Sequence, residues 1–472
     1  GELRPPAGGR CLEDVDPATG ETIAEIPDSS AADVDAAVSA ASAAFPAWSA
    51  TPAEERSRLL LRVADLIEAN FDALAALESK DSGKPVALAR RLDVPRAVKN
   101  FRFFATAILH AETKAHATDG SALNYTLRQP LGVAGLISPW NLPLYLLTWK
   151  IAPAIAAGNT CVAKPSEMTP LTAARLAELV RDAGVAPGVV NIVHGRGAEA
   201  GRALTAHPDV PLISFTGGTK TGADVMAHAG PLFKKVSLEL GGKNPNIVFA
   251  DADLDEAVAT SISSSFSNQG EICLCGSRIF VERPVFDRFL ERFVDRTKKL
   301  RIGDPQDPAT EVGALVCQAH FRKVAGYVEL AREEGGEIWC GGKRPADLPE
   351  RLRGGWFLEP TVITGLDCSR RVMQEEIFGP VVTVTPFDSV EEAVGYANGS
   401  RYGLSASVWT RDLKKAHRIA AALECGTVWV NTWLLRDLRV PFGGMKESGV
   451  GREGGFDSLD FFTEAKNVCI KL

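Results

Sequence analysis

The sequence predicts an α/β protein built on two doubly wound parallel sheets, with a small β segment set apart from them. Three observations carry that prediction. From residue 131 short β-type runs alternate with amphipathic helical stretches, the pattern of strands joined by crossover helices. A second alternation of the same kind runs from about residue 246 to 430. Between them stands Gly241-Gly242, a pair suited to a bend from one unit into the next. An α+β arrangement with an antiparallel sheet is the alternative, and the regular alternation disfavours it.

Taken in order, residues 31–110 are rich in Ala, Leu and Arg at helical spacing, as in Arg58-Leu59-Leu60-Leu61-Arg62-Val63-Ala64-Asp65-Leu66-Ile67. The first alternation then gives a strand at 132–137, a helix at 145–157, a strand at 160–163 and a helix at 169–183. A strand at 189–193, a helix at 198–206 and a strand at 212–215 follow. In the second alternation the β-runs fall at 279–281, 381–386 and 427–431. Two further β-like stretches, Tyr125-Thr126-Leu127-Arg128 and the tail 461–472, lie outside both alternations. This divides the chain into one unit of residues 1–111 and 131–240, a second of 241–442, and bridging segments at 112–130 and 455–472. Ligands of such folds sit beyond the carboxyl ends of the strands, here in the cleft between the units.

Composition narrows the function. The 472 residues are 45% hydrophobic and 24% charged, with a net charge of -7, and the basic residues are dispersed. That balance argues against a nucleic-acid or acidic-membrane partner. The apolar stretch 131–157 is interrupted by Pro139, Pro143, Pro153 and Lys150, so it is not a membrane span. No basic-apolar-small leader opens the chain, and Gly1 stands where an initiator Met is expected. The nine cysteines are odd in number and scattered, the nearest pair being the C-x-C of Cys273 and Cys275, and only seven His accompany them. Neither a disulfide framework nor a zinc site is expected, and the chain reads as cytoplasmic with reduced thiols and no metal.

Cys273 is the first candidate for chemistry. Most cysteines are small buried hydrophobes. This one follows a polar turn, Asn268-Gln269-Gly270, which is expected to lead into a helix whose amides stabilise a thiolate. Asn141 ends a β-run in Pro139-Trp140-Asn141, where its amide can face a developing oxyanion, although an Asn there is also a common turn or capping residue. Glu239 closes another β-run just before the paired glycines. A carboxylate there can reach a cleft as general base, or simply be a solvated surface acid.

Together these segments resemble the aldehyde dehydrogenase superfamily, and the resemblance spans nearly the whole chain. It rests on Asp16-Pro17-Ala18-Thr19-Gly20-Glu21, Ser138-Pro139-Trp140-Asn141, Lys164-Pro165-Ser166-Glu167, Phe215-Thr216-Gly217-Gly218 and the run 238–243. It continues through 268–273, Glu375-Glu376-Ile377-Phe378-Gly379-Pro380 and Pro441-Phe442-Gly443-Gly444. Glu271 stands where many members carry Gln, a departure that touches no evident catalytic step.

The resemblance implies oxidation of an aldehyde to an acid, with NAD as cofactor, a Rossmann-like NAD-binding domain and a catalytic domain. Cys273 is then the nucleophile and Cys275 is not; Asn141 holds the oxyanion, and Glu239 activates water to release a thioester. Lys164 and Glu167 would lie at the adenosine ribose, where the Glu167 carboxylate disfavours the 2'-phosphate of NADP. The bland reading is a surface ion pair. Gly217 and Gly218 should open a helix whose amides, with Trp140, face the pyrophosphate. Gly197 would let the backbone pass the adenosine, and Glu376 and Phe378 would contact the nicotinamide and its ribose. Ile137, Ser138, Phe215 and Leu240 complete the expected cofactor set.

For the substrate, Arg96 and Arg436 are the candidates, because a guanidinium is the natural partner of a carboxylate. Each is otherwise an ordinary surface residue. The runs 137–144, 271–275 and 433–436 resemble the subgroup that oxidises muconate semialdehydes, in which two matching arginines are implied to hold the remote carboxylate. The 2-amino compound is expected first, the 2-hydroxy compound next and retinal third. The β-segments outside the two units imply pairing across subunits into a homodimer or homotetramer.

Overall fold

The computed structural model describes residues 2–472, so Gly1 lies outside the described residues. Two sheets organise the chain. The six-stranded sheet runs, side by side, Gly449–Val450, Lys235–Glu239, Leu212–Thr216, Val133–Ile137, Thr160–Lys164 and Val190–Ile192. It is parallel except for Gly449–Val450. Its central strands are buried along their whole length, which is why they read as apolar runs without alternation. The order reverses at Val133–Ile137, which pairs with Thr160–Lys164 on one side and Leu212–Thr216 on the other. That reversal opens a crevice at the strands' carboxyl ends.

The seven-stranded sheet has the order Glu337–Cys340, Thr361–Thr364, Val381–Phe387, Arg278–Glu282, Pro245–Val248, Ser405–Trp409, Thr427–Val430. Only Glu337–Cys340 is antiparallel. The chain passes from one sheet to the other between Glu239 and Pro245, at the paired glycines. Close approach also requires them: a Cβ on Gly241 would lie 2.1 Å from the Glu376 carboxylate.

The N-terminal helices Ala53–Ala69 and Asp93–Ala107 pack with Pro143–Ala156 against the six-stranded sheet, and their Leu60, Val63, Phe101 and Phe104 are fully buried. Full burial of each such side chain contributes roughly 1.5–3 kcal/mol. Ala122–Pro130 pairs antiparallel with Thr463–Lys471 along its whole length, and Ala115–Thr118 lies on its other side. This three-stranded sheet is the β segment outside the two alternations. The helix Gly455–Phe461 precedes it and buries Leu459 in the N-terminal core. Among the described residues no helix is long and apolar enough to cross a membrane, and no cluster of His, Cys, Asp or Glu could hold a metal. All nine cysteines are free thiols.

Candidate active site

A cavity of about 60 Å³ lies between the two sheets and is bordered by Cys273, Glu239, Arg96 and Arg436 together. Its remaining wall is largely apolar, with Leu142, Tyr145, Trp149, Leu434 and Phe442. Four residues spread over 340 positions of sequence thus meet in one space, as their chemistry requires.

Cys273 reaches the cavity differently from the sequence expectation. No helix follows it. The helix Leu254–Phe266 ends before it, a tight turn Ser267–Gly270 intervenes, and the strand Arg278–Glu282 begins after it. Asn268 and Gln269 hold left-handed backbone angles, φ 53° and 55°, and Gly270 has φ 77°, so the helical path is broken before the cysteine. No helix N-terminus is therefore available to stabilise a thiolate. Burial, then the carboxylates Glu376 and Glu239, push the Cys273 thiol up to about 12, with Arg436 opposing. The resting sulfur carries its proton. Cys275 is buried beside Ile272, Leu274, Trp429 and Phe442 in an apolar cluster.

Glu239, at the end of its strand, is 4% exposed, and neither carboxylate oxygen has a hydrogen-bond partner. Burial, reinforced by Glu453, holds it well above the usual carboxylate range, against the pull of Lys150, Arg436 and Arg452. A buried carboxyl group with both oxygens free beside a cavity is equipped to exchange a proton with whatever enters.

Asn141 follows the strand Val133–Ile137 and is held through both its side-chain amide and its backbone carbonyl. Its Nδ2 donates to the Glu271 carbonyl at 2.8 Å, which leaves a second amide hydrogen free. Its own backbone carbonyl accepts from Lys84 Nζ at 3.0 Å and from Asn268 Nδ2 at 3.0 Å. Lys84 is held in turn by Asp93 at 3.1 Å and Glu78 at 3.6 Å, all three fully buried. Glu271 therefore takes part through its backbone. Its carboxyl group accepts from Val316 N and Gln269 Nε2, 3.5 Å from His320, and burial raises it well above the usual range.

Sequence reasoning missed Lys150 and Glu453. They form a buried pair at 3.1 Å, 303 residues apart, beside Glu239. Ser214 Oγ also donates to Glu453 Oε1 at 3.0 Å, and Trp149 Nε1 donates to Oε2 at 2.6 Å. The signal for Lys150 was a lone cation inside an apolar helix, noticed only as evidence against a membrane span. Glu453, in a glycine-flanked loop, carried none.

The candidate cofactor residues gather at the carboxyl ends of the six-stranded sheet, as the fold rule expects. Ile137 and Ser138 end one strand and the buried Ser138 Oγ has no partner. Lys164 ends the next. It is buried and donates to Pro165 O, Gly195 O and Glu167, the last at 3.2 Å, while Glu167 also accepts from Gly197 N at 3.3 Å. Lys164 and Glu167 do pair, yet at a buried strand end rather than on an open surface. Phe215 lies against Gly217, where a Cβ would meet its ring at 2.4 Å, and Gly218 caps the helix Thr219–Ala229 without a side chain over its free amides. Leu240 is buried beneath the same helix, close to Gly222.

In the seven-stranded sheet the rule fails, because Cys273, Glu376 and Phe378 all precede their strands and so lie at amino ends. These ends face the carboxyl ends of the other sheet. Trp140 stacks edge-on with Phe378 at 5.2 Å and with His320 at 5.0 Å, and Glu376 accepts from Gly242 N at 3.0 Å.

Arg96 stands near the start of Asp93–Ala107 and Arg436 in the loop after Thr427–Val430. Their guanidinium carbons lie 5.2 and 6.0 Å from the Trp149 ring centre, so one indole supports both, and neither forms a salt bridge among the described residues. Trp433 Nε1 donates to Leu274 O at 2.9 Å, tying the Arg436 loop to the segment that carries Cys273. The cavity thus brings the Cys273 thiol and the unpartnered Glu239 carboxyl together with two guanidinium groups that form no salt bridge among the described residues.

Comparisons with known proteins give the family. A sequence model described as the aldehyde dehydrogenase family matches residues 4–468. The chain is 56% identical over 464 residues to 2-aminomuconic semialdehyde dehydrogenase of Danio rerio, covering 98% of this chain and 95% of that one. It is 50% identical over 472 residues to 2-hydroxymuconic semialdehyde dehydrogenase of Pseudomonas sp. (strain CF600), covering 99% and 97%. Among solved structures, PnpE from Pseudomonas sp. WBC-3 superposes with a TM-score of 0.97 at 45% identity, covering 100% of this chain and 96% of that one. PnpE in complex with nicotinamide adenine dinucleotide gives 0.98 at the same identity and coverage.

Proposed function

This chain belongs to the aldehyde dehydrogenase family, and from that premise we propose that it oxidises a carboxylate-bearing semialdehyde with NAD, through a thioester on Cys273. The observation that carries the reading is the pair Arg96 and Arg436, cations without a carboxylate partner, in the cavity that also holds Cys273 and Glu239.

The residues present fit the cofactor. The uncapped helix start at Gly218 and the cradle at Gly217, which a Cβ would fill, suit a pyrophosphate; Glu167 and Lys164 suit a ribose. In this reading Ile137, Ser138, Trp140, Gly197, Phe215 and Leu240 would line the same crevice, with Glu376 and Phe378 closing it from the other sheet. The nicotinamide, when bound, supplies the acceptor for the hydride leaving the substrate carbon.

The chain's own residues do the rest. Cys273 passes its thiol proton to solvent water and its sulfur adds to the aldehyde carbon. The free amide hydrogen of Asn141 and the Cys273 backbone N–H stabilise the oxyanion. As that adduct collapses the carbon loses hydride and a thioester remains on Cys273. Glu239 takes a proton from water, the water oxygen attacks the acyl carbon, and the acid leaves as the sulfur recovers the proton that Glu239 took. The nine free thiols suit the cytoplasm.

The relatives' names support 2-aminomuconate 6-semialdehyde as substrate ahead of the 2-hydroxy compound; retinal, which neither name mentions, stays third on the resemblance alone. Arg96→Ala and Arg436→Ala should each raise KM for a muconate semialdehyde by about ten- to a hundredfold, the value of one charge-assisted contact. Hexanal, with no carboxylate to lose, should respond to neither change, and NAD should support faster turnover than NADP throughout. Equal losses on charged and neutral aldehydes would defeat the semialdehyde reading and promote retinal.

Assembly follows from the three-stranded sheet. The strand Thr463–Lys471 pairs on one edge only, and Leu123, Leu127, Ile470 and Leu472 stand exposed on or beside this sheet. Such edges are covered by pairing between copies, giving a dimer or a dimer of dimers. Light scattering at micromolar concentration should report at least twice the chain mass; a stable monomer would contradict this.

A further inference from the structure

Arg96 is not a free cation on a flexible stem. One turn along the same helix is Asn100, fully buried, whose Oδ1 accepts from Arg96 Nε at 3.1 Å. The Asn100 Nδ2 group donates to the Tyr145 carbonyl at 3.1 Å and to Thr148 Oγ1 at 3.0 Å. Thr148 Oγ1 in turn donates to the Leu144 carbonyl at 2.8 Å. Both hydrogens of the amide are therefore engaged by the helix Pro143–Ala156, and the amide cannot turn over. Its oxygen has to face Arg96.

The guanidinium is confined from its faces as well. Its carbon sits 4.9 Å from the Tyr145 ring centre and 5.2 Å from that of Trp149. A guanidinium has five donor hydrogens, arranged along two edges that a carboxylate can grip: Nε with one terminal nitrogen, or the two terminal nitrogens together. Asn100 occupies Nε. Nη2 is buried and has no hydrogen-bond partner.

From this geometry we propose that Asn100 is a positioning residue for substrate specificity, setting Arg96 so that the edge formed by its two terminal nitrogens receives the substrate carboxylate. The proposal rests on the reading of Arg96 as a carboxylate anchor. Asn100 touches no substrate atom. It acts by holding in place a side chain that would otherwise have to surrender rotamer freedom at each binding event, and preorganisation of that kind appears in affinity. It also accounts for a buried Asn on a helix face otherwise occupied by Phe101, Phe104 and Ala97.

The experiment is a double-mutant cycle read with 2-hydroxymuconate semialdehyde and, in parallel, hexanal. Asn100→Ala should raise KM for the charged substrate by about three- to tenfold, the effect of one lost hydrogen bond, while kcat and the hexanal kinetics hold. Asn100→Asp preserves the shape and the oxygen toward Nε but brings a charge that competes for the guanidinium; its KM rise should be at least as large. In the Arg96→Ala background Asn100→Ala should add nothing, because its effect passes through Arg96. A full additional rise in that background, or a matching loss with hexanal, would show general damage to the helix pair and overturn the proposal. So would an unchanged KM in both Asn100 variants while Arg96→Ala alone raises it. If Arg96→Ala itself spares the charged substrate, the anchor reading fails and takes this proposal with it, a result distinct from the others.

Discussion

Cys273→Ser should reduce turnover by more than about a thousandfold while leaving cofactor binding intact. The size follows from the sulfur's two tasks. It must add to an aldehyde, which a hydroxyl does far more slowly at neutral pH, and it must then leave an acyl group, which an alkoxide does poorly. The site makes the first task demanding, since burial and two carboxylates hold the resting thiol at about 12. Serine, with a higher intrinsic value still, has no comparable route to an anion. Cys275→Ser supplies the control: that thiol sits in the apolar cluster with Ile272 and Trp429, so it should affect stability more than rate. Steady-state turnover together with cofactor titration of both variants checks the assignment. Near-normal turnover in Cys273→Ser, or its loss in Cys275→Ser alone, would refute it.

Glu239→Gln should separate the two halves of the reaction. Acylation proceeds as a burst, and the steady state then slows by about a hundred- to ten-thousandfold, the usual contribution of a positioned base. The pH profile should change with it. Burial raises the Glu239 carboxyl well above its ordinary range, so the active, deprotonated form accumulates only as pH climbs through that raised value. Deacylation in the native protein therefore rises with pH on this limb, and the glutamine variant loses the limb. An absent burst would mean that Glu239 acts earlier, as the base that takes the proton of Cys273.

Much of this was legible in the sequence, for identifiable reasons. Strands such as Val133–Ile137 and Leu212–Thr216 are buried on both faces, so they read as unbroken apolar runs between helices. Asn141, Lys164 and Glu239 stood out as candidates because they sit at or just after the points where such runs stop, and ligands gather at strand ends in this architecture. The path into Cys273 was not legible. Asn268-Gln269-Gly270 reads as a polar turn, but the two successive left-handed residues that abolish the expected helix are stabilised by tertiary bonds, Asn268 to the Asn141 carbonyl and Gln269 to the Ala314 carbonyl. The Lys150–Glu453 pair and the Asn100 clamp were invisible for a related reason. Each is a contact between elements, and local periodicity says nothing about which helix faces which.

The thioester on Cys273 is tested most directly by trapping it. Glu239→Gln protein mixed with NAD and 2-hydroxymuconate semialdehyde, quenched in acid within the burst and digested, should yield a peptide containing Cys273 that carries the mass of the acyl group. The same mixture without NAD should yield none, because the carbon has not lost hydride. An acyl group on Cys275, or a completed burst with Cys273 unmodified, would contradict the mechanism.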